Sequence, residues 1–346
     1  MTTKWGIGMQ YRETDKAIGN AYRTTYLNSI KDVIAKREAE TLGARELFLE
    51  QVMQNPEQYR DKLKQMFGWP LVGDVSREFS AHEEFVAEDE LCRIYRVTLD
   101  MEMGLKAYGI LMLPTGVEKP RVVIAQHGGS GTPEMISAFY DDRGQNYRNF
   151  SGRILHRGMA VYAPQMLLWN PDACGEKFDR VAIDAKLKQL GGSITALELF
   201  ALSVATDYLH GREDLNCDEF SMAGLSYGGF YTILHTALDT RVKRACSSCW
   251  FNDRLAYSWA DWTWFNSGFT FLDAEIAALI APRRLYIEVA DKDDVFDVTG
   301  AHGQASRLKK VYEQLGKENE FSFCVFSGGH EFNPEDTGFD FIWQDL

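Results

Sequence analysis

The chain has 346 residues and a mass of 39.4 kDa, and it contains 45% hydrophobic and 25% charged residues. This length fits about two domains or one large α/β domain with additions, and the ordinary composition excludes disorder, collagen and coiled-coil rods. Lys and Arg number 37 against 50 Asp and Glu, for a formal net charge of -13. That charge disfavours nucleic acid or an anionic membrane surface as the main partner. We therefore expect a soluble, folded protein that acts on an uncharged substrate.

The sequence shows neither a membrane span nor a signal peptide. Apolar runs such as 122–125 and 277–281 fall far short of the roughly 20 residues that cross a bilayer, and the N-terminal segment has no apolar core or cleavage site. The cysteines are scattered through the chain, unlike the dense framework of a small secreted domain. These features predict a cytoplasmic protein with free thiols. The lone CxxC, Cys246 to Cys249, is expected to be a buried strand end rather than a redox or zinc motif.

The N-terminal part of the chain changes from helical to strand-like patterning. Residues 21 to about 67 place apolar side chains at mostly helical spacing, which predicts two or three helices. We expect a break at Asn55-Pro56, because proline disfavours helix at the residue before it and lacks an amide donor. From 77 to 113 apolar and polar residues alternate around Met103-Gly104. This alternation predicts an antiparallel hairpin.

Beyond residue 113, short β-branched runs alternate with helical runs, which is typical of a mainly parallel sheet covered by helices. The predicted strands are 121–126, 159–163, 219–223, 242–247, 284–289 and 321–326. The predicted helices are 195–210, 227–238 and 304–315. The segment at about 248–282 breaks the alternation, and we expect it to be an aromatic-rich insertion over the strand ends. The chain is thus predicted to comprise a helical extension, residues 1–76, and an α/β domain, residues 77–346.

The most specific motif is Gly224-Leu-Ser226-Tyr-Gly228, which lies between a predicted strand and a predicted helix. GxSxG in this context is a nucleophile elbow. The abrupt turn holds the serine in a strained backbone conformation, and only glycines leave room two residues before and two residues after it. The turn also aims the helix N-terminus at a reacting carbonyl. We predict that Ser226 is a nucleophile, the alternative being a glycine-rich structural turn.

A second motif, Gln126-His-Gly-Gly-Ser-Gly131, follows the predicted strand 121–126. A tetrahedral acyl-transfer intermediate carries an oxyanion that needs preorganised backbone donors, and glycine allows the backbone to approach it closely. We predict that the amides of Gly129 and Tyr227 form the oxyanion hole, with Gly128 as the adjacent alternative for the first donor. The other interpretation of this segment is a flexible loop or a phosphate cradle.

A serine nucleophile needs a base. Three histidines follow Ser226 in the chain. His235 lies inside a predicted helix and His302 precedes one, so both favour packing or capping roles. His330 instead stands on a loop after a strand end, where α/β sites are built. We predict that His330 is the base.

The base in turn needs an orienting acid, expected on the loop after the preceding strand. Asp293 is predicted because the tight turn after such a strand places the acid three residues beyond a small residue, here Ala290. Asp291 and Asp294 on the same loop remain alternatives. Asp253, which follows the strand before, is the outside candidate.

No other motif indicates a cofactor or a metal. Gly6-Ile-Gly8 lacks the third glycine and the preceding strand of a dinucleotide-binding fingerprint. His330-Glu331 does not continue as HExxH, and no cluster has metal-ligand spacing. We therefore expect no cofactor and no metal.

Together these motifs resemble the α/β-hydrolase superfamily and, within it, the dienelactone-hydrolase-related group that includes acetyl xylan esterase-like proteins. The resemblance spans about residues 80–346 and also includes Ser247 to Arg254 and Gly328 to Phe332. It implies an α/β fold with a mostly parallel eight-stranded sheet, its second strand antiparallel, flanked by helices. It also implies a serine carboxylic ester hydrolase for short-acyl esters, including acetyl esters of sugars. Ala290 departs from the glycine that the family usually has before the acid.

The aromatic residues suggest where a sugar could bind, since the CH faces of sugar rings pack on indole. Trp169, Trp250, Trp262 and Trp264 are therefore predicted to contact the substrate, the alternative being that they cement the insertion to the core. The rival functions are a serine peptidase or amidase, and a non-catalytic binding protein of the same fold. The expected partner is a small-molecule or carbohydrate ester, with no nucleic acid and no membrane, and a homo-oligomer is left open.

Overall fold

The structure is a computed structural model that describes residues 13–139 and 144–346. Within these residues nine strands form one sheet. The strands are β1 (Phe79–Glu88), β2 (Cys92–Met101), β3 (Lys106–Pro114), β4 (Arg121–Gln126), β5 (Ala160–Pro164), β6 (Asn216–Leu225), β7 (Val242–Ser248), β8 (Arg284–Ala290) and β9 (Phe321–Phe326).

The chain also forms ten α-helices among the described residues, and the first two of them precede β1. They are α1 (Lys16–Gln54), α2 (Pro56–Phe67), α3 (Pro133–Ile136), α4 (Phe150–Leu155), α5 (Arg180–Gln189), α6 (Ile194–His210), α7 (Tyr227–Leu238), α8 (Asp273–Ala278), α9 (Val298–Gln314) and α10 (Thr337–Ile342). In the part of the chain that the structure describes, no helix combines the length and the apolar character needed to cross a membrane.

The sheet order is β1-β2-β3-β5-β4-β6-β7-β8-β9. The predicted hairpin is confirmed as β2 and β3, which pair antiparallel, and β3 also lies antiparallel to β5. From β5 to β9 all neighbouring strands are parallel. The expectation of eight strands is wrong by one, because β1 adds an antiparallel edge strand beside β2. Most β1 side chains are exposed, so this strand carries no inward-facing apolar pattern that would reveal it.

The parallel strands bring their carboxyl ends to one edge of the sheet. The loops that follow β4, β6, β7, β8 and β9 therefore lie together, and the strand order reverses beside β4. Such a reversal opens the crevice in which α/β proteins bind ligands. This edge receives every residue predicted to take part in chemistry.

The helices mostly follow the predicted pattern. The predictions 195–210 and 227–238 are confirmed as α6 and α7. α9 begins earlier than predicted, because the Asp297 carboxylate accepts a hydrogen bond from Thr299 N and caps the helix. The insertion expected at about 248–282 begins where β7 ends, at Ser248. Residues 249–282, all of which are described, contain short 3-10 turns and α8 but no strand, as expected for an insertion.

The predicted break at Asn55-Pro56 is confirmed, because α1 ends at Gln54 and Pro56 starts α2. The two helices differ in how they pack. Residues 16–36 of α1 are exposed apart from the half-buried Gly19. Further along, apolar side chains enter the same core cluster as the sheet. They are Leu49, Val52, Tyr59, Leu63 and Phe67.

Candidate active site

The turn between β6 and α7 has the conformation that its sequence predicts. Ser226 has φ 59° and ψ -121°, a conformation that L residues rarely adopt. A Cβ on Gly224 would lie 2.4 Å from backbone atoms of Gly228, and a Cβ on Gly228 would lie 2.1 Å from the Gln126 carbonyl oxygen. Both positions thus exclude any larger residue. The serine side chain is half-buried at the carboxyl edge of the sheet, directly before the N-terminus of α7.

The glycine loop after β4 is held by the buried imidazole of His127. The Met166 amide donates to Nε2 at 3.0 Å, so Nδ1 carries the hydrogen and donates to the Gly128 carbonyl oxygen at 2.9 Å. Burial lowers the pKa of His127 to about 4, which keeps the ring neutral and able to accept. His127 therefore has a structural role in fixing the loop.

Gly128 and Gly129 lie against the serine turn. A Cβ on Gly128 would be 3.2 Å from Ser226 Cβ, and a Cβ on Gly129 would be 3.4 Å from the Tyr227 ring. The Gly128 amide donates to the Tyr147 hydroxyl at 2.9 Å, so it is already engaged. Of the two alternatives for the first oxyanion donor, Gly129 is the one that this arrangement favours.

His330 and Asp293 form a hydrogen-bonded pair, with Nδ1 and Oδ2 separated by 2.8 Å. The other carboxylate oxygen, Oδ1, accepts from the amides of Val295 at 2.8 Å and Phe296 at 3.2 Å. Burial alone would raise the pKa of Asp293, but His330 and these two amides lower it below its ordinary value. Asp293 is therefore an ionised carboxylate that faces the Nδ1 side of the imidazole.

The other acid candidates have different contacts. Asp291 accepts from the Gly328 amide at 3.0 Å, and Asp253 caps a short turn by accepting from Leu255 N. Asp294 is exposed. Asp293 is the candidate among these four that contacts His330.

A short chain of contacts joins the serine turn to this pair. The Ser226 amide donates to the Ser248 carbonyl oxygen at 2.9 Å, and Cys249, the next residue, lies beside the pair. The ligating atoms of Cys249, Asp293 and His330 all lie within 4.8 Å of one another. Burial, reinforced by the Asp293 charge, raises the pKa of the Cys249 thiol well above its ordinary value, so this thiol is neutral and is not a competing nucleophile.

The structure separates the four predicted substrate-binding tryptophans. Trp250, Trp262 and Trp264 are 1%, 3% and 5% exposed, and they pack against Phe230 of α7. These three indoles offer no face to a substrate, so the prediction that they contact a sugar is wrong. They instead pack the insertion against the core, which was the alternative. Trp169 is half-buried and lines a cavity of about 380 Å³.

The loop that carries Trp169 runs beside the glycine loop, because Ser130 and Trp169 pair in a parallel β-bridge. The cavity beneath it has mainly apolar walls, and Glu198 also lines it. A larger cavity of about 580 Å³, lined by residues such as Lys64 and Asp207, contains none of the predicted site residues. Trp169 is therefore the predicted tryptophan that stands at an accessible surface next to the site.

Sequence reasoning missed a buried charge network that contacts Tyr227, the residue after Ser226. Arg180 Nε lies 2.8 Å from Asp261 Oδ2, and Arg180 Nη2 lies 2.8 Å from Glu198 Oε2. The Tyr227 hydroxyl donates to Asp261 at 2.9 Å. No motif links these residues in sequence; the lone signal is an arginine and two acids in otherwise apolar or aromatic surroundings.

Comparisons with known proteins agree with this architecture. No protein-family model matches the sequence, and no curated protein sequence matches it. Solved structures do match. A Bacteroides fragilis protein to which acetyl xylan esterase activity is ascribed aligns with a TM-score of 0.64 over 80% of this chain and 75% of its own, at 12% identity. This chain has the α/β-hydrolase fold.

Two further structures resemble this chain. A glucuronoyl esterase from Solibacter usitatus aligns with a TM-score of 0.61 and 17% identity, over 84% of this chain and 90% of its own. Acetyl xylan esterase 1 from Thermoanaerobacterium sp. JW/SL YS485 aligns with a TM-score of 0.58 and 14% identity, over 84% of this chain and 93% of its own. At these identities the likeness is one of fold, and at that level it confirms the resemblance predicted from the motifs.

Proposed function

We propose that this protein is a serine carboxylic ester hydrolase with Ser226, His330 and Asp293 as its catalytic triad. The observation that carries the proposal is the His330–Asp293 hydrogen bond of 2.8 Å at the sheet edge that also bears the strained Ser226. The esterases that share this fold give independent support. The same constellation of serine, histidine and aspartate performs acyl transfer on unrelated folds.

In the proposed mechanism His330 Nε2 accepts the proton of Ser226 Oγ as this oxygen attacks the ester carbonyl carbon. Asp293 holds the proton on Nδ1 and stabilises the imidazolium that forms. The amides of Gly129 and Tyr227 donate to the oxyanion, and the second of these stands at the N-terminus of α7. His330 then returns the proton to the leaving alcohol, and water hydrolyses the acyl-enzyme by the reverse sequence.

The proposed substrates are short-acyl esters, including acetyl esters of sugars. Acetyl xylan esterases among the structural neighbours support this class. We propose that Trp169, which pairs with Ser130 of the glycine loop and is half-buried, contacts the alcohol moiety.

The test measures hydrolysis of p-nitrophenyl acetate, butyrate and octanoate, together with acetylated xylose and xylan, by wild type and Ser226→Ala. We expect turnover of the short-acyl esters, and a loss of at least about 10³-fold in kcat in the variant. Ser203→Ala is the matched control, since Ser203 is a half-buried serine of α6 that donates to the Leu199 carbonyl oxygen. It should keep wild-type turnover.

Retained turnover in Ser226→Ala would contradict the nucleophile. If no ester is hydrolysed, labelling with an organophosphonate separates the alternatives. Modification of Ser226 would then favour an amidase or peptidase, whereas no modification would favour a binding protein of this fold.

A further inference from the structure

Cys249, Asp293 and His330 form a compact group of three side chains that can ligate a metal. Their ligating atoms all lie within 4.8 Å of one another, and no other group of this kind occurs among residues 13–139 and 144–346. Cys249 is buried, whereas His330 keeps 20% of its side chain exposed. The group therefore opens to solvent on the imidazole side.

The backbone holds the thiol in this position. Cys249 follows β7 with φ 48°, and its amide donates to the Glu288 carbonyl oxygen of β8 at 2.8 Å. Its Sγ donates to the Glu331 carbonyl oxygen at 3.1 Å, directly after His330 in the chain. Cys246, the other cysteine of the CxxC, points elsewhere, because its Sγ packs near Gly338 of α10. The CxxC is thus not a metal-binding pair, but its second cysteine belongs to a different ligand set.

The ligand set suits a borderline-soft divalent cation. Zn²⁺ binds thiolate at about 2.3 Å and imidazole or carboxylate at about 2.0–2.2 Å, which separates ligand atoms at tetrahedral angles by roughly 3.3–3.6 Å. Binding requires the 2.8 Å between His330 Nδ1 and Asp293 Oδ2 to widen slightly. The Cys249 Sγ, which lies within 4.8 Å of both atoms, needs to approach them by no more than about 1 Å. Three protein ligands leave the fourth position for water. Hard cations such as Mg²⁺ prefer oxygen ligands and are disfavoured here.

We propose that Cys249, Asp293 and His330 bind Zn²⁺ or a similarly soft divalent cation, and that this binding switches off ester hydrolysis. The inhibitory part rests on the proposed function. In the metal-bound state the cation occupies the place of the proton that His330 Nδ1 shares with Asp293. The neutral imidazole then carries its hydrogen on Nε2, and the Cys249 thiol releases one proton to solvent. A protonated Nε2 has no lone pair for the Ser226 proton, so the base is disabled.

The first experiment titrates Zn²⁺ against turnover of p-nitrophenyl acetate. We expect wild type to be inhibited reversibly, with activity restored by a chelator, and Mg²⁺ at the same concentration to have no effect. Cys249→Ser should keep basal turnover and require at least about tenfold more Zn²⁺ for half inhibition, because the thiolate ligand is lost. Cys246→Ser is the matched control and should be inhibited like wild type. If Cys249→Ser does not fold, Cys249→Ala replaces it.

The second experiment does not depend on activity. Co²⁺ is added to the Ser226→Ala protein, and we expect a cobalt–thiolate charge-transfer band that saturates at one equivalent and is absent when Cys249→Ser is added to that background. Absence of the band in the Cys249-containing protein would overturn the site. Equal Zn²⁺ sensitivity of wild type and Cys249→Ser would overturn the inhibitory mechanism. A band in a protein that hydrolyses no ester would support the metal site and contradict only the proposed function.

Discussion

At the scale of single residues, burial decides the charge of groups that the reaction does not use. Glu288 of β8 is 1% exposed, and the Asn333 amide donates to its Oε1 at 3.0 Å. Burial raises the pKa of this carboxyl to about 7, and the hydrogen bond from Asn333 offsets only part of the effect. Asn333 stands three residues after His330, so Glu288 is hydrogen-bonded to the loop that carries the proposed base.

This raised pKa predicts a pH dependence of stability. The unfolded carboxyl titrates near its ordinary pKa of about 4.3, so the folded state binds the proton more tightly. The stability associated with that proton is complete below about pH 4.3 and is lost as pH rises through about 7. We expect the free energy of unfolding of wild type to fall by about 2–3 kcal/mol from this group between pH 5 and 8.

Glu288→Gln removes the titration while keeping the shape of the side chain. Chemical denaturation of both proteins at pH 5, 6, 7 and 8 measures the effect, and the difference between wild type and variant isolates Glu288 from other titrating groups. The variant should gain stability relative to wild type as pH rises. Parallel stability curves would show that Glu288 does not titrate in this range.

At the scale of elements, one arginine joins four parts of the structure. Arg180 of α5 pairs with Glu198 of α6 and Asp261 of the insertion, and its Nη2 also lies 2.9 Å from the Tyr231 hydroxyl of α7. The side chains of Arg180, Glu198 and Asp261 are 11%, 8% and 6% exposed. Lys188 of the same helix donates to carbonyl oxygens at 260 and 263. α5 therefore connects the insertion to α6 and to α7, the helix that follows Ser226.

Arg180→Met should destabilise the protein by roughly 3–5 kcal/mol, because it leaves two buried carboxylates without the positive charge that neutralises them. Denaturant-induced unfolding measures the loss. Lys186→Met is the matched control, since Lys186 lies on the same helix but is exposed, and we expect it to stay within about 0.5 kcal/mol of wild type. A loss below about 1 kcal/mol for Arg180→Met would mean that the two acids find other partners.

At the scale of the whole molecule, the N-terminal helices divide at a point that their packing defines. Residues 16–36 are exposed apart from Gly19, whereas the end of α1 and the buried side chains Tyr59, Leu63 and Phe67 of α2 share the main core. Arg60 of α2 reinforces this connection, because its guanidinium donates to the carbonyl oxygens of Ala237 and Leu279 at 2.8 Å each. The second half of the extension thus completes the core of the α/β domain.

Two truncations test this division. Over residues 13–36, the part of this segment that the structure describes, almost all side chains are exposed, so we expect deletion of residues 1–36 to change the free energy of unfolding by less than about 1 kcal/mol. Deletion of residues 1–76 uncovers the apolar surface that α2 buries and removes several large core side chains, at about 2–5 kcal/mol each. We expect this shorter protein to lose cooperative thermal unfolding. A cooperative transition in the shorter protein would show that residues 77–346 fold independently.

The features that could be predicted from the sequence are those set by local physics. The GxSxG turn was predictable because the tight turn within these five residues leaves no room for a side chain at positions 224 and 228, and both are glycine. The Asn55-Pro56 break was predictable because proline restricts the conformation of the residue directly before it. The parallel strands were predictable because each is a short, continuous run of apolar residues that can be recognised in the sequence. β1 was not, since most of its side chains face solvent and its pairing with β2 is a property of the assembled sheet.

The tertiary structure decided whatever depends on a distance between remote parts of the chain. The spacing to Ala290 favoured Asp293 but left three other aspartates as alternatives, and it is the fold that brings Asp293 to His330. Burial likewise separated Trp169 from the three tryptophans that the core encloses, and it assembled Arg180, Glu198 and Asp261 into one network. Local sequence therefore determined the serine turn, the glycine loop and the order of the parts. The choice among equivalent side chains was made by through-space contacts, which residue type and spacing do not encode.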